Sequence, residues 1–275
     1  MQLTIKHPFL CLPVVSHPKD TRVLKLFDGE KLLLCVYFPF GEAAADNGTY
    51  SYEYLSPLPV SEWMGRTLTL SAEFPAGFED AVTQTDKLPV SSEVHPAVHF
   101  TANAGWINDP NGFSFYDGQI HLFYQYHPYN REWGPMHWGH SVTCDMIQWE
   151  QLPAALAPDE EYDKAGCFSG SAIEADGKHV LVYTGVTRVK QADGSEQERQ
   201  NQCIAFGDGK DYQKYDKNPV MTGEMLPEGC NRVDFRDPKI WKENDTYYMI
   251  VGNKNENQIG QVVLCLSLIH ISEPT

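Results

Sequence analysis

FSFYDGQIHLFYQY, residues 113–126, is the stretch whose reading decides the fold. Two runs of aromatic and β-forming residues flank Asp117-Gly118, a pair that closes hairpins, so the stretch reads as strand, tight turn, strand. The pattern returns in SAIEADGKHVLVYTGV (171–186), turning near Asp176, and in KIWKENDTYYMIVGN (239–253), turning near Asn244. A further strand follows each hairpin: GHSVTCDMIQWEQL (139–152), NQCIAFGDGKDYQKY (201–215) and GQVVLCLS (260–267). The first two run on through a polar turn to an aromatic, Trp149 or Tyr215. Recurrence every ~60–70 residues exceeds a compact propeller blade, and long loops account for the excess. The chain is therefore expected to be all-β, with a β-propeller weighed against a β-sandwich of similar hairpin spacing.

Working outward, residues 1–90 read as a small N-terminal β domain. In it VLKLFDGEKLLLCVYFPF (23–40) has two apolar runs around Asp28-Gly29, and RTLTLSAEF (66–74) alternates as a strand does. TDKLPVSSEVHPAV (85–98), rich in Pro and Ser, is the expected linker, and the propeller occupies 91–266. The net charge of −16, without a long run of like charge, repels nucleic acid and anionic membranes, so neither is expected as a partner. An aromatic share of 12%, with 6 Trp and 14 Tyr, suits strands and also suits stacking on sugar rings. Seven Cys without CxxC spacing point to reduced thiols in a cytoplasmic protein, with no structural zinc. The N-terminus is a poor signal peptide, and no run reaches membrane-span length.

The repeat also aligns the chemistry. Counting back from the three turns brings WINDPNG (106–112), CFSGS (167–171) and DFRDP (234–238) to nearly the same place, just before the first strand of each hairpin. First strands line a propeller's channel, so Asp109 and Asp237 converge on the axis, although a one-residue slip would reverse a side chain. Turn chemistry alone makes Asn108-Asp109-Pro110-Asn111-Gly112 a loop, with each Asp capping its own turn. Paired carboxylates at one axis are instead what glycoside hydrolysis needs.

These residues carry a family resemblance. WINDPNG, Phe168-Ser169-Gly170-Ser171 and Phe235-Arg236-Asp237-Pro238, with HLFYQYHPYN and WGPMHWGHSVT between them, resemble the successive signatures of family-32 glycoside hydrolases, the β-fructofuranosidases. The likeness spans residues 94–266, and the block before it is more weakly similar to a small β domain of levanase-like members. It implies a five-bladed propeller, here partial, and release of fructose from sucrose or β-fructans with retention and without a cofactor or metal. It further implies Asp109 as nucleophile, Asp237 as transition-state stabiliser and Arg236 as a hydroxyl donor. Asn108, Gln125, Trp133, Phe168 and Ser169 match the fructose pocket, and Trp106 its apolar wall. Several duller readings stay open. Gln125 can instead satisfy a backbone group, Trp133 can be core, and core is the better reading of Trp138. His137 and His140 read as buried, hydrogen-bonded histidines, and Arg188–Arg199 as a solvated surface loop.

The sequence departs from the family in one place. The family's acid/base glutamate lies in a Glu-Cys motif about fifty residues beyond Arg-Asp-Pro, hence past position 275. Glu228-Gly229-Cys230 precedes that motif and is given no catalytic role. Residues 267–275, ending LIHISEPT, read as a tail foreign to a blade, and the third repeat as unfinished. A truncated enzyme, a non-catalytic fructoside-binding module or pseudoenzyme, and an inverting arabinan- or xylan-acting propeller all remain open. Oligomeric state and the particular fructoside are not legible.

Overall fold

The computed structural model describes residues 1–16, 18, 20–41, 49–88, 96 and 98–267, without the side chains of Asp20 and Ser267. Of the expected foreign tail only Ser267 is described, as the last residue of a strand, and residues 268–275 and the middle of the expected linker lie outside the described residues. Two compact units form: residues 1–107 with 126–134, and residues 108–125 with the chain from 135 onward.

In the first unit the strands are β1 (Gln2–Thr4), β2 (Phe9–Val14), β3 (Asp20–Asp28), β4 (Lys31–Phe40), β5 (Tyr54–Pro59), β6 (Thr67–Ser71) and β7 (Thr83–Thr85). They make one sheet in the order β1-β6-β3-β4 and another in the order β5-β2-β7. The Asp28-Gly29 hairpin forms as expected, with Asp28 opposite Lys31 and Gly29 at φ 58° supplying the turn. Phe38, Phe40 and Phe78 are fully buried and meet edge to face, Phe40 and Phe78 at 4.9 Å.

The second unit carries the repeat. Strands β8 (Trp106–Tyr116), β9 (Gln119–His127), β10 (His137–Thr143) and β11 (Glu150–Leu156) form the first sheet, with consecutive strands adjacent. The second is β12 (Gly166–Ala175), β13 (Lys178–Lys190), β14 (Glu196–Gly207) and β15 (Tyr212–Lys214). The third is β16 (Cys230–Glu243), β17 (Thr246–Asn255) and β18 (Gly260–Ser267). These are three successive antiparallel blades of a partial β-propeller, and the polar turns after residues 143 and 207 do lead to fourth strands, as the repeat required. Asp117, Asp176 and Asn244 sit at φ 46°, 51° and 53°, the left-handed conformation of tight hairpin turns.

Two expectations are corrected here. The three signatures lie inside the first strands, not before them, and Asn108–Gly112 belongs to strand β8 rather than to a turn, with a left-handed φ only at Gly112. Pro110 is tolerated because β8 is an edge strand, paired on one side to β9, where a missing amide hydrogen costs no ladder bond. Arg188–Arg199 is likewise no loop: Arg188 pairs with Glu198 and Lys190 with Glu196, so the hairpin stays laddered almost to its tip.

Apolar side chains join the blades. Phe123 and Trp138 of the first blade pack with Ala172, Leu181, Tyr183 and Cys203 of the second. Val180, Val182 and Ile204 of the second pack with Ile240 and Tyr247 of the third. Beside the first cluster lies a buried histidine group with one neutral hydrogen-bond pattern. His121 Nε2 donates to the Tyr116 carbonyl at 3.2 Å, so its bare Nδ1 accepts from His140 Nε2 at 2.9 Å. Ser114 Oγ donates to the Gly112 carbonyl, so it accepts from His179 Nε2 at 2.9 Å, and Tyr212 donates to His179 Nδ1 at 2.7 Å. His140 is thus the buried, bonded histidine expected, and His137 is buried as well. All seven cysteines are free. Among the described residues no helix is long and apolar enough to cross a membrane.

Burial holds His121 and His140 below the ordinary imidazole range and pushes His179 down to about 3. Because the unfolded chain takes up these protons first, the stability this group contributes is full above pH ~6.5 and is lost as the pH falls toward 3. Urea unfolding of the wild type should weaken across that window, and His179→Phe should show a shallower dependence on pH. Identical slopes would show that the histidines do not couple protonation to folding.

Candidate active site

Each first strand is irregular at its signature, and the irregularity aims the polar side chains. In β8 the break is Gly112, at φ 50°, where a Cβ would stand 2.8 Å from the Phe123 ring and 3.2 Å from Ala172 and Trp138. Only glycine fits there. Asp109, three residues earlier, is exposed and accepts a hydrogen bond from Ser169 Oγ at 3.2 Å.

In β12 the register slips between Phe168 and Gly170, which lifts Ser169 out of the ladder. The strand on either side is fixed from the first blade: Gln125 Nε2 donates to the Cys167 carbonyl at 2.9 Å, and Trp138 Nε1 donates to the Phe168 carbonyl at 3.0 Å. Gln125 is 3% exposed, so its amide nitrogen does satisfy a backbone group, and Trp138 is core.

In β16 the register slips between Arg236 and Lys239, and Asp237 stands at φ 62°, a conformation non-glycine residues rarely adopt. Its N–H donates to Thr184 Oγ1 at 3.0 Å. Arg236 is oriented by Nη1 hydrogen bonds to Asp234 Oδ1 at 3.0 Å and Gln200 Oε1 at 3.3 Å, and its Nε lies 3.8 Å from Asp237 Oδ2. Partial burial lifts the Asp237 carboxyl above the usual carboxylate range; Arg236 pulls it down and the Asp109 carboxylate pushes it up. Lys254, at 2.6 Å, is the main cause that holds Asp234 below its usual range.

The structure thus brings Asp109, Ser169, Arg236 and Asp237 into one solvent-open group on three adjacent inner strands, with Asn108 beside Asp109 on β8 and Phe168 beside Ser169 on β12. Trp106 and Trp133 belong to the first unit, Trp106 half-buried and Trp133 half exposed, so Trp133 is not core. Glu228 is exposed, before β16. Among the described residues no group of three His, Cys, Asp or Glu side chains could hold a metal ion.

Sequence reasoning missed the supports. Gln200 Oε1 also accepts from Phe235 N–H at 2.9 Å, and Gln202 Nε2 donates to the Phe235 carbonyl at 2.7 Å. Their signal was two glutamines two apart, hence on one face of a strand that otherwise turns apolar residues inward.

Carboxylates gathered on the inner strands of successive blades form the kind of site that propeller-type glycosidases use. Residues 99–267 match the model of the glycosyl hydrolases family 32 N-terminal domain, and the chain belongs to that family. It is 44% identical over 191 residues to a sucrose-6-phosphate hydrolase of Zymomonas mobilis, an alignment covering 68% of this chain and 36% of that one. It is similar to a Bombyx mori family-32 β-fructofuranosidase variant solved with sucrose, at 41% identity and TM-score 0.57 over 66% of this chain and 36% of that one. It is also similar to the sucrose-6-phosphate hydrolase of Lactobacillus gasseri, at 31% identity and TM-score 0.59 over 67% of this chain and 36% of that one. The chain spans about a third of the length of the relatives it matches.

Gly112→Ala adds both positive-φ strain and a core clash, and should cost about 2–4 kcal/mol. Gly260→Ala, where a Cβ meets nothing within 4 Å, should shift stability by under ~1 kcal/mol. Denaturant melts of the two variants check this; equal losses would remove the packing argument for Gly112.

Proposed function

We propose that the chain is the nucleophile-bearing part of a retaining β-fructofuranosidase acting on sucrose, sucrose 6-phosphate or a β-fructan. Asp109 Oδ attacks the anomeric carbon of fructose, the bond to the bridging oxygen breaks, and a covalent fructosyl ester forms. Water then cleaves the ester, so two inversions give net retention. Ser169, donating to Asp109, orients the carboxylate before attack. Asp237 accepts hydrogen bonds from fructose hydroxyls as positive charge grows on the ring, and Arg236 donates to another. Asn108, Gln125 and Phe168 line the sugar pocket in this reading, and the family resemblance assigns Trp133 and Trp106 to sugar contact as well. A third carboxyl donates the proton to the leaving oxygen in this reading.

The observation that carries the proposal is that Asp109 on β8 and Asp237 on β16, remote in sequence, flank the same blade, where Ser169 donates to Asp109, Thr184 accepts from Asp237 N–H and Ser171 donates to the Pro238 carbonyl. The assignment of the proton donor to another part of the protein is supported by the share of the relatives' length that the chain spans. The free cysteines support a reducing, cytoplasmic setting.

A substrate whose leaving group needs no proton isolates the nucleophile. With β-fructofuranosyl fluoride, fluoride departs unaided as Asp109 attacks, so the chain should become fructosylated on the Asp109 peptide while releasing little fructose from sucrose. Peptide mass mapping should find the adduct in the wild type and not in Asp109→Asn. An unlabelled wild type would favour a fructoside-binding module, and label persisting in Asp109→Asn would place the nucleophile elsewhere.

A further inference from the structure

The left-handed conformation of Asp237 is not something its own strand supplies. The slip between Arg236 and Lys239 takes Asp237 and Pro238 out of the β16–β17 ladder, so their backbone groups need other partners. Two hydroxyls of the second blade provide them. Thr184 Oγ1, on β13, accepts from Asp237 N–H at 3.0 Å and donates to Gln202 Oε1 at 3.2 Å. Ser171 Oγ, on β12, donates to the Pro238 carbonyl at 2.8 Å and accepts from Ile240 N–H at 3.0 Å. Thr184 is fully buried and Ser171 5% exposed, and each hydroxyl is already engaged as donor and as acceptor. Strained backbone of this kind persists only where its surroundings over-determine it.

We propose that Thr184, seconded by Ser171, is a positioning residue: it clamps the Asp237 bulge so that the carboxylate faces Asp109 and the sugar. The inference rests on the proposed function for its sugar, and on geometry alone for its clamp. Thr184→Val keeps the shape and removes the acceptor, whereas Thr184→Ser keeps the acceptor and removes only a methyl group.

Amide exchange by NMR and fructose titration on the same samples test it. In Thr184→Val the Asp237 N–H should exchange about tenfold faster while β16 ladder amides such as that of Trp241 hold, and fructose affinity should fall about tenfold. Thr184→Ser should stay within about twofold of wild type in both, a rescue that a merely packing role for Thr184 does not require. Unchanged Asp237 exchange in folded Thr184→Val, or an equal loss in Thr184→Ser, would overturn the clamp. If the wild type itself does not bind fructose, the proposed function fails and the Asp237 exchange rates alone decide the clamp. Should Thr184→Val not fold, Ser171→Ala reads the same bulge, with faster exchange at Asp237 and Ile240 expected and unchanged exchange contradicting it.

Discussion

Asp237 is held against its own backbone preference, and most of the site depends on that one constraint. An inner strand has a partner on one side only, so it can bulge without breaking a second ladder. The same freedom admits Pro110 and Pro238, which a central strand would exclude. β12 and β16 use this freedom at Ser169 and Asp237, where the register slips, and β8 takes a left-handed φ at Gly112.

The second blade is the template for that meeting. Its Ser169 donates to Asp109 on the first blade, while its Thr184, Ser171, Gln200 and Gln202 bond the backbone of β16 on the third. From the other side, Gln125 and Trp138 grip the carbonyls of Cys167 and Phe168. Every one of these supports spans two blades, so the site's geometry is set by blade packing and not by any loop. The apolar clusters bury the seams between the blades beside these supports.

Much of this was legible in the sequence. Turn pairs at Asp117-Gly118 and Asp176-Gly177 fixed the blade period, because glycine and a left-handed residue are what a tight hairpin requires. The same period puts Asp109 and Asp237 in register. WINDPNG reads locally as a turn, since Asn, Asp, Pro and Gly are turn formers, and the edge position that lets them be strand is a property of the assembled sheet. Thr184 and Gln202 were invisible for a related reason: a buried hydroxyl or amide in a strand declares its partner only once the neighbouring blade is in place.

The central claim is that the bulged strands set two carboxylates close enough to feel each other's charge. Titrating the Asp237 side-chain carboxyl by carbon-detected NMR, in the wild type and in Asp109→Asn, tests it directly. Removing the Asp109 charge should let Asp237 ionise at lower pH, since a like charge no longer opposes it. A titration that stays where it was, or moves upward, would mean that the two aspartates do not share a site.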